Sequence, residues 1–179
     1  MIFVGFMEEF RDARGMTEAE AIARYRSRNY PKPALTADIV VFARAREGLK
    51  VLLIRRKGHP FIGKLALPGG FANENEPVEI TAARELEEET GVAGLELKLV
   101  DIFSKPDRDP RGWVVSAAFV SVVDAGLLNV QAGDDAAEAD WYDVALEDGL
   151  KLSYNGENIA LSELAFDHEE VLIKALNAI

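Results

Sequence analysis

The sequence predicts an α/β domain in which a mixed β-sheet is layered between helices. Three observations carry this. Apolar runs of strand length, at residues 36–45, 49–56 and 113–123, are rich in valine, isoleucine, leucine and phenylalanine. A segment of helical spacing, residues 77–91, stands between the second and third runs, and another lies at residues 161–179. The 179 residues suit a single domain with a sizeable core. Strands flanking one helix, with a second helix at the end, give helices on both faces of the sheet, an α/β/α sandwich.

The elements follow in order. Thr17 and Glu20 have the form of a capping box and open a helix to about Arg28. Pro31 and Pro33 stop it, so residues 1–30 are expected as a helical extension and 31–179 as the main domain. Residues 36–45 read as a buried strand, Gly48 as a turn, and 49–56 as its hairpin partner. Residues 58–70 form a loop rich in glycine and proline. The central helix begins near Pro77, a residue favoured in a first turn, and ends at Gly91, a favoured C-terminal glycine. Residues 95–103 and 113–123 read as strands separated by a polar loop, and 139–144 as a short strand around Trp141. Leu164, Val171, Leu172, Ala175 and Leu176 give residues 161–179 the spacing of an amphipathic helix.

Composition narrows the function classes. The chain has no cysteine, which excludes disulfides, thiolate metal sites and a thiol nucleophile, and fits a cytoplasmic location. Twenty Lys and Arg against 31 Asp and Glu leave a net charge of −11, a poor match for sequence-independent nucleic-acid binding. The apolar start at residues 1–7 is too short for a signal peptide, and no run approaches a membrane span.

The most informative stretch is residues 70–92, GFANENEPVEITAARELEEETGV. A helix turns about 100° per residue, so Glu85, Glu88 and Glu89 share one face. Like charges at these spacings weaken a helix, which implies a cation to hold them. Carboxylates without histidine or cysteine suit a hard ion, Mg²⁺ or Mn²⁺. Gly69 and Gly70 let the chain bend close to such an ion. Arg84 can pair with one carboxylate and fix its rotamer, and Glu76 suits a helix N-terminus.

Gly70, Glu76, Arg84, Glu85, Leu86, Glu88, Glu89, Gly91 and Val92 fill every defined position of a motif that resembles the Nudix box. The resemblance implies a Nudix-type α/β/α sandwich and hydrolysis of a nucleoside diphosphate linked to another moiety. It assigns Glu85, Glu88 and Glu89 as metal ligands with the Gly70 carbonyl, and leaves the general base open. A box glutamate or an acid on a later loop serves, and Asp135 and Glu138 are candidates there; Asp134 reads as a plain acidic turn.

Residues 30–38, the Ala66-Leu67-Pro68-Gly69-Gly70-Phe71 run, residues 106–113 and the Leu164-Ala165-Phe166-Asp167-His168 run are together similar to one branch of that family. The branch includes ADP-ribose pyrophosphatases, bifunctional NAD-synthesis enzymes and NAD-pathway transcription repressors. It implies ADP-ribose as substrate, split into AMP and ribose 5-phosphate, with NADH, a sugar nucleotide or a modified nucleoside triphosphate as alternatives, or a non-catalytic ADP-ribose sensor. The repressors carry a winged-helix DNA-binding domain after this part, which the chain lacks room for after residue 168. Arginine's planar fork suits phosphate and ribose, which makes Arg55, Arg56, Arg108, Asp109 and Arg111 candidates for substrate binding. Against that, Arg108 can simply pair with Asp107 or Asp109. Phe71 and Trp113 suit either stacking on adenine or the core. Asp38 stands at the start of an apolar strand, where a buried arginine is the expected partner. His59 reads as a surface loop residue and His168 as a group hydrogen-bonded within the final helix. Phe3, Phe6 and Phe10 give the extension more apolar surface than an isolated arm should show, and members of this branch are commonly dimers, so a homodimer is expected.

Overall fold

Strand β1 (Ala34–Ala45) is the axis of the sheet, and its sequence shows why: residues 36–43 are buried without a break. Such a run forms where a strand is covered on both faces. The computed structural model describes residues 10–126 and 136–179. They divide into two compact units, Met1–Lys32 and Pro33–Ile179.

In the first unit, helix α1 (Glu18–Arg26) opens on the expected capping box, in which the Glu20 N–H donates to the Thr17 hydroxyl and the Thr17 N–H to Glu20. It buries none of its residues. Tyr25 and Tyr30 stack with ring centroids 5.2 Å apart.

The second unit holds strands β2 (Gly48–Arg56), β3 (Leu65–Ala66), β4 (Gly69–Phe71), β5 (Lys98–Phe103), β6 (Val114–Asp124), β7 (Ala136–Leu146), β8 (Leu150–Tyr154) and β9 (Glu157–Ile159). Its helices are α2 (Val78–Thr90) and α3 (His168–Leu176). The sheet order is β5-β6-β1-β2-β7-β8-β9, with β3 paired to β2 and β4 to β1. Only β1 and β6 run parallel among these pairs, so the sheet is mixed as expected. Along one edge of β1, β4 pairs with residues 36–38 and β2 with residues 42–45. This hand-over sets Gly69 and Gly70 against Asp38 and Ala37, and the cleft described below is lined by Asp38 and both glycines.

Alternation along β1 divides the core. Ala37, Ile39 and Val41 pack with Leu52, Ala82, Leu86 and Phe119 on the α2 side. Val40 and Phe42 pack with Leu53, Val171 and Leu172 on the α3 side. Each large side chain so buried contributes about 1.5–3 kcal/mol.

Several boundaries differ from expectation. Strand β5 begins at Lys98, because Leu95 and Leu97 pack on the α2-side core as a loop. Strand β7 extends well beyond 139–144 at both ends. Strands β8 and β9 were absent from the sequence reading, although Asn155-Gly156, both at positive φ, is a strong hairpin signal. The final segment is not one helix. Leu161–Glu163 is a single 3₁₀ turn, Leu164 is extended and bridges Leu65, and Phe166 takes φ 52°, so α3 starts only at His168. Pairing to β3 outcompetes helical periodicity there. On α2, Ile80 and Ala83 point outward rather than into the core, while Thr81 and Ala82 are buried beside Leu86.

Candidate active site

The site starts with α2 and the turn before it. The Glu76 carboxylate accepts from the Asn73 N–H and, at 2.8 Å, from the Thr81 hydroxyl, so it ties the loop to the first turn of the helix. Arg84 donates to both Glu76 oxygens at 3.0 Å. These bonds hold the Glu76 acid far below the usual carboxylate range, the Arg84 guanidinium being the first cause. Gly91 closes the helix in the left-handed conformation, φ 69°, and donates to Glu87 O.

Arg84 is the hub. It donates at 2.6 Å to Glu85, at 2.9 Å to Glu88 and at 3.1 Å to the Phe71 carbonyl on β4. Glu85 is half-buried, and burial pushes its acid up against the opposing pull of Arg84. Glu89 is buried, and one oxygen accepts from the Gly69 N–H at 2.8 Å. A Cβ on Gly70 would collide with the Glu85 carboxylate, and one on Gly69, at φ 153°, with the Ala37 carbonyl. Gly69 is therefore required by close approach of backbone, whereas a side chain at 70 would have to displace Glu85. Among the described residues no three His, Asp or Glu side chains are gathered at metal-ligating spacing, since Arg84 holds Glu85 and Glu88. The donor set of carboxylates plus a glycine carbonyl suits a hard divalent cation, which would share or displace Arg84.

A cleft opens beside Gly69 and Gly70. Thr36, Asp38 and Leu67 form its floor, and Arg56, Phe71, Arg108, Asp109, Arg111, Phe166 and His168 complete the lining. Arg111 lies over the Phe71 ring, 4.7 Å from its centroid, and 5.5 Å from that of Phe166. Arg56 lies over the other aromatic, 5.0 Å from the Phe166 centroid. Burial pushes the Arg56 guanidinium down, and the nearby Arg111 charge adds to this. The two cations thus face a common space, which suits an anion.

The predicted residues divide. Glu85 and Glu88 meet on Arg84, Glu85 abuts Gly70, and Glu89 reaches the neighbouring Gly69 N–H. Asp109 and Arg111 pair on one wall, with 2.7 Å between Asp109 Oδ2 and Arg111 Nη2. Arg108 pairs with neither Asp107 nor Asp109. Its side chain, 4% exposed, makes two bonds to Asp167 at 2.6 and 2.8 Å and one to Asp38 at 3.2 Å. Asp38 thus has the expected arginine, and Arg108, part of the cleft lining, is held there by two carboxylates. Arg55 is not in this lining; it donates to Glu138 and to the Gly63 carbonyl, which joins β2 to β7 beside a bulge. Asp134 and Asp135 lie outside the described residues. Trp113 is exposed, not core. His168 is buried and bonds outside its helix, accepting from the Leu67 N–H, a correction to the sequence reading. Phe166 was missed; the run around it was singled out, but nothing local marks a ring that two guanidiniums share.

The NUDIX domain family model matches residues 32–158. The chain belongs to the Nudix family. An ADP-ribose pyrophosphatase of Methanocaldococcus jannaschii is 41% identical over 145 residues, covering 81% of this chain and 74% of the relative. The crystal structure of a MutT/nudix family protein from Enterococcus faecalis superposes with a TM-score of 0.80 at 40% identity, covering 92% of this chain and 70% of that one. The NUDIX domain of Shewanella oneidensis NrtR, complexed with ADP ribose, matches with a TM-score of 0.73 at 30% identity, over 91% of this chain and 99% of that domain. The stretch that resembles the Nudix box, residues 70–92, lies within the matched residues.

Proposed function

We propose that this Nudix pyrophosphohydrolase splits ADP-ribose into AMP and ribose 5-phosphate with Mg²⁺ or Mn²⁺. The observation that carries the reading is Arg84, which gathers Glu76, Glu85 and Glu88 against β4 beside a cleft lined by Arg56 and Arg111. Glu85, Glu88, Glu89 and the Gly70 carbonyl would hold the cation. When bound, the cation neutralises diphosphate oxygens and makes water a better nucleophile near neutral pH. Arg56 and Arg111 counter the chain's acidic field and orient the diphosphate, and the exposed Phe71 ring offers an aromatic face to adenine. Water attacks one phosphorus, the bridging P–O bond breaks, and each product leaves with a terminal phosphate. A carboxylate takes the proton of the attacking water. A box glutamate and Glu138, which pairs with Arg55 at 3.1 Å, are both candidates.

The ADP-ribose complex of the NrtR domain favours a second reading, a sensor that binds without turnover. The complete box weighs against it, and a charge of −11 weighs against nucleic acid as partner. Phe10, 95% exposed, and α1 without a buried residue support a homodimer; light scattering that reports a monomer across micromolar concentrations refutes it. No helix among the described residues is long and apolar enough to cross a membrane. The absence of cysteine supports a cytoplasmic location.

The test is product analysis with ADP-ribose and Mg²⁺, beside NADH, sugar nucleotides and nucleoside triphosphates. AMP and ribose 5-phosphate formed fastest from ADP-ribose support the reading. Preference for another diphosphate discards the substrate, and binding without products moves the weight to the sensor.

A further inference from the structure

Asp38, Arg108 and His168 line the cleft, Ser116 and Asp167 bond to them from behind, and the chemistry above uses none of the five. Ser116 donates to Asp38 Oδ2 at 2.6 Å, and Arg108 donates to the same oxygen. His168 Nε2 faces Asp38 Oδ1 at 3.6 Å, while its Nδ1 accepts from the Leu67 N–H at 2.9 Å. An accepting Nδ1 puts the proton of a neutral ring on Nε2, towards Asp38. Apolar side chains of similar volume stabilise an interior at least as well as buried ion pairs.

That geometry reaches both walls of the cleft from one short segment. Leu67 lies two residues before Gly69, which donates to Glu89, and three before Gly70, which abuts Glu85. The Ala165 N–H donates to Leu65 O at 2.8 Å, a second tie between the same two segments. Asp167, the neighbour of His168, grips Arg108, and with it the loop that carries Asp109 and Arg111.

We infer that His168 is a positioning residue for the hydrolysis, holding residues 67–70 in register against Glu85 and Glu89, and that Asp167, through Arg108, sets the substrate-binding wall opposite. This rests on the ADP-ribose reading above.

His168→Asn, His168→Gln and Asp167→Asn separate the roles. The Asn oxygen stands near Nδ1 and can keep the Leu67 bond, whereas Gln places its amide near Nε2. His168→Gln is expected to lower kcat by about tenfold or more with KM within about threefold, since small misplacements near reacting groups act on the chemical step. His168→Asn is expected to keep kcat within about threefold, and Asp167→Asn to raise KM by about tenfold while sparing kcat. Exchange of the Leu67 amide, followed by NMR, should quicken in His168→Gln and not in His168→Asn.

Wild-type kcat in His168→Gln overturns the inference, as does a loss of kcat with Leu67 protection unchanged or in mere proportion to the folded fraction. Should the variants not fold, nitrogen NMR of the wild-type ring decides: a protonated Nδ1 overturns the inference, and an accepting Nδ1 supports it. A wild-type protein that prefers another diphosphate removes the ADP-ribose reading alone, and the kcat comparison moves to that substrate. Inertness toward every diphosphate overturns both.

Discussion

The Glu85 carboxylate occupies the space that a Cβ on Gly70 would fill. The missing Cβ thus admits a contact between strand β4 and helix α2. Gly70→Ala must push Glu85 away or shift β4. The expected outcome is a loss of turnover of about a hundredfold, the scale of an ångström misplacement beside reacting groups. Steady-state kinetics with ADP-ribose check it; a wild-type kcat would show that this packing does not set the chemistry.

The three box carboxylates make a second prediction. Glu88→Gln and Glu89→Gln each remove a charge from the cation site, and Mg²⁺-dependent turnover is expected to fall by at least about a hundredfold, as for loss of a charge-stabilising group. Isothermal titration with Mn²⁺ should show weakened binding in both. Retained activity would remove these two residues from the cation site.

Arg84 bonds Glu76, Glu85, Glu88 and the Phe71 carbonyl at once. Arg84→Lys keeps the charge but has one nitrogen where the guanidinium has three, so it cannot serve all four acceptors. Its kcat is expected to drop by about tenfold or more while the fold is kept, because the lost bonds position carboxylates without closing the core. Thermal melts beside kinetics separate the two effects.

Asp38 gives a pH prediction. Burial works against its charged form, but His168, Ser116 and Arg108 outweigh it and hold the acid down from 3.8 to about 2. A folded value below the unfolded one contributes stability that is complete above the unfolded value. It is lost as pH falls through the folded value, here the window from about 4 to about 2. The contribution is on the order of 2 kcal/mol. Denaturant unfolding of the wild type and Asp38→Asn should show their difference shrinking as pH falls through that window. A constant difference would show that Asp38 is not the titrating group.

Phe71 is 40% exposed, so Phe71→Ala should cost little stability. If the ring presents a face to adenine, KM for ADP-ribose rises by about tenfold, in the range of one lost stacking contact. An unchanged KM would place adenine elsewhere.

Local regularity made much of this protein legible from its sequence. The spacing of Glu85, Glu88 and Glu89, the start of α2 after Pro77 and its end at Gly91 all follow from a 100° helical step and the conformation glycine allows. Strands β1, β2 and β6 were legible because burial on both faces leaves continuous apolar runs. The Asp38–Arg108–Asp167 cluster, the His168–Leu67 bond and the sharing of the Phe166 ring by two arginines depended on tertiary structure. Their members come from β1, β2, the β5–β6 loop, the turn after β3 and the residues around the start of α3, which the sheet register and the Leu164–Leu65 bridge bring together. A helical or strand period tells which way a side chain faces, and only the packing of distant segments decides what it meets.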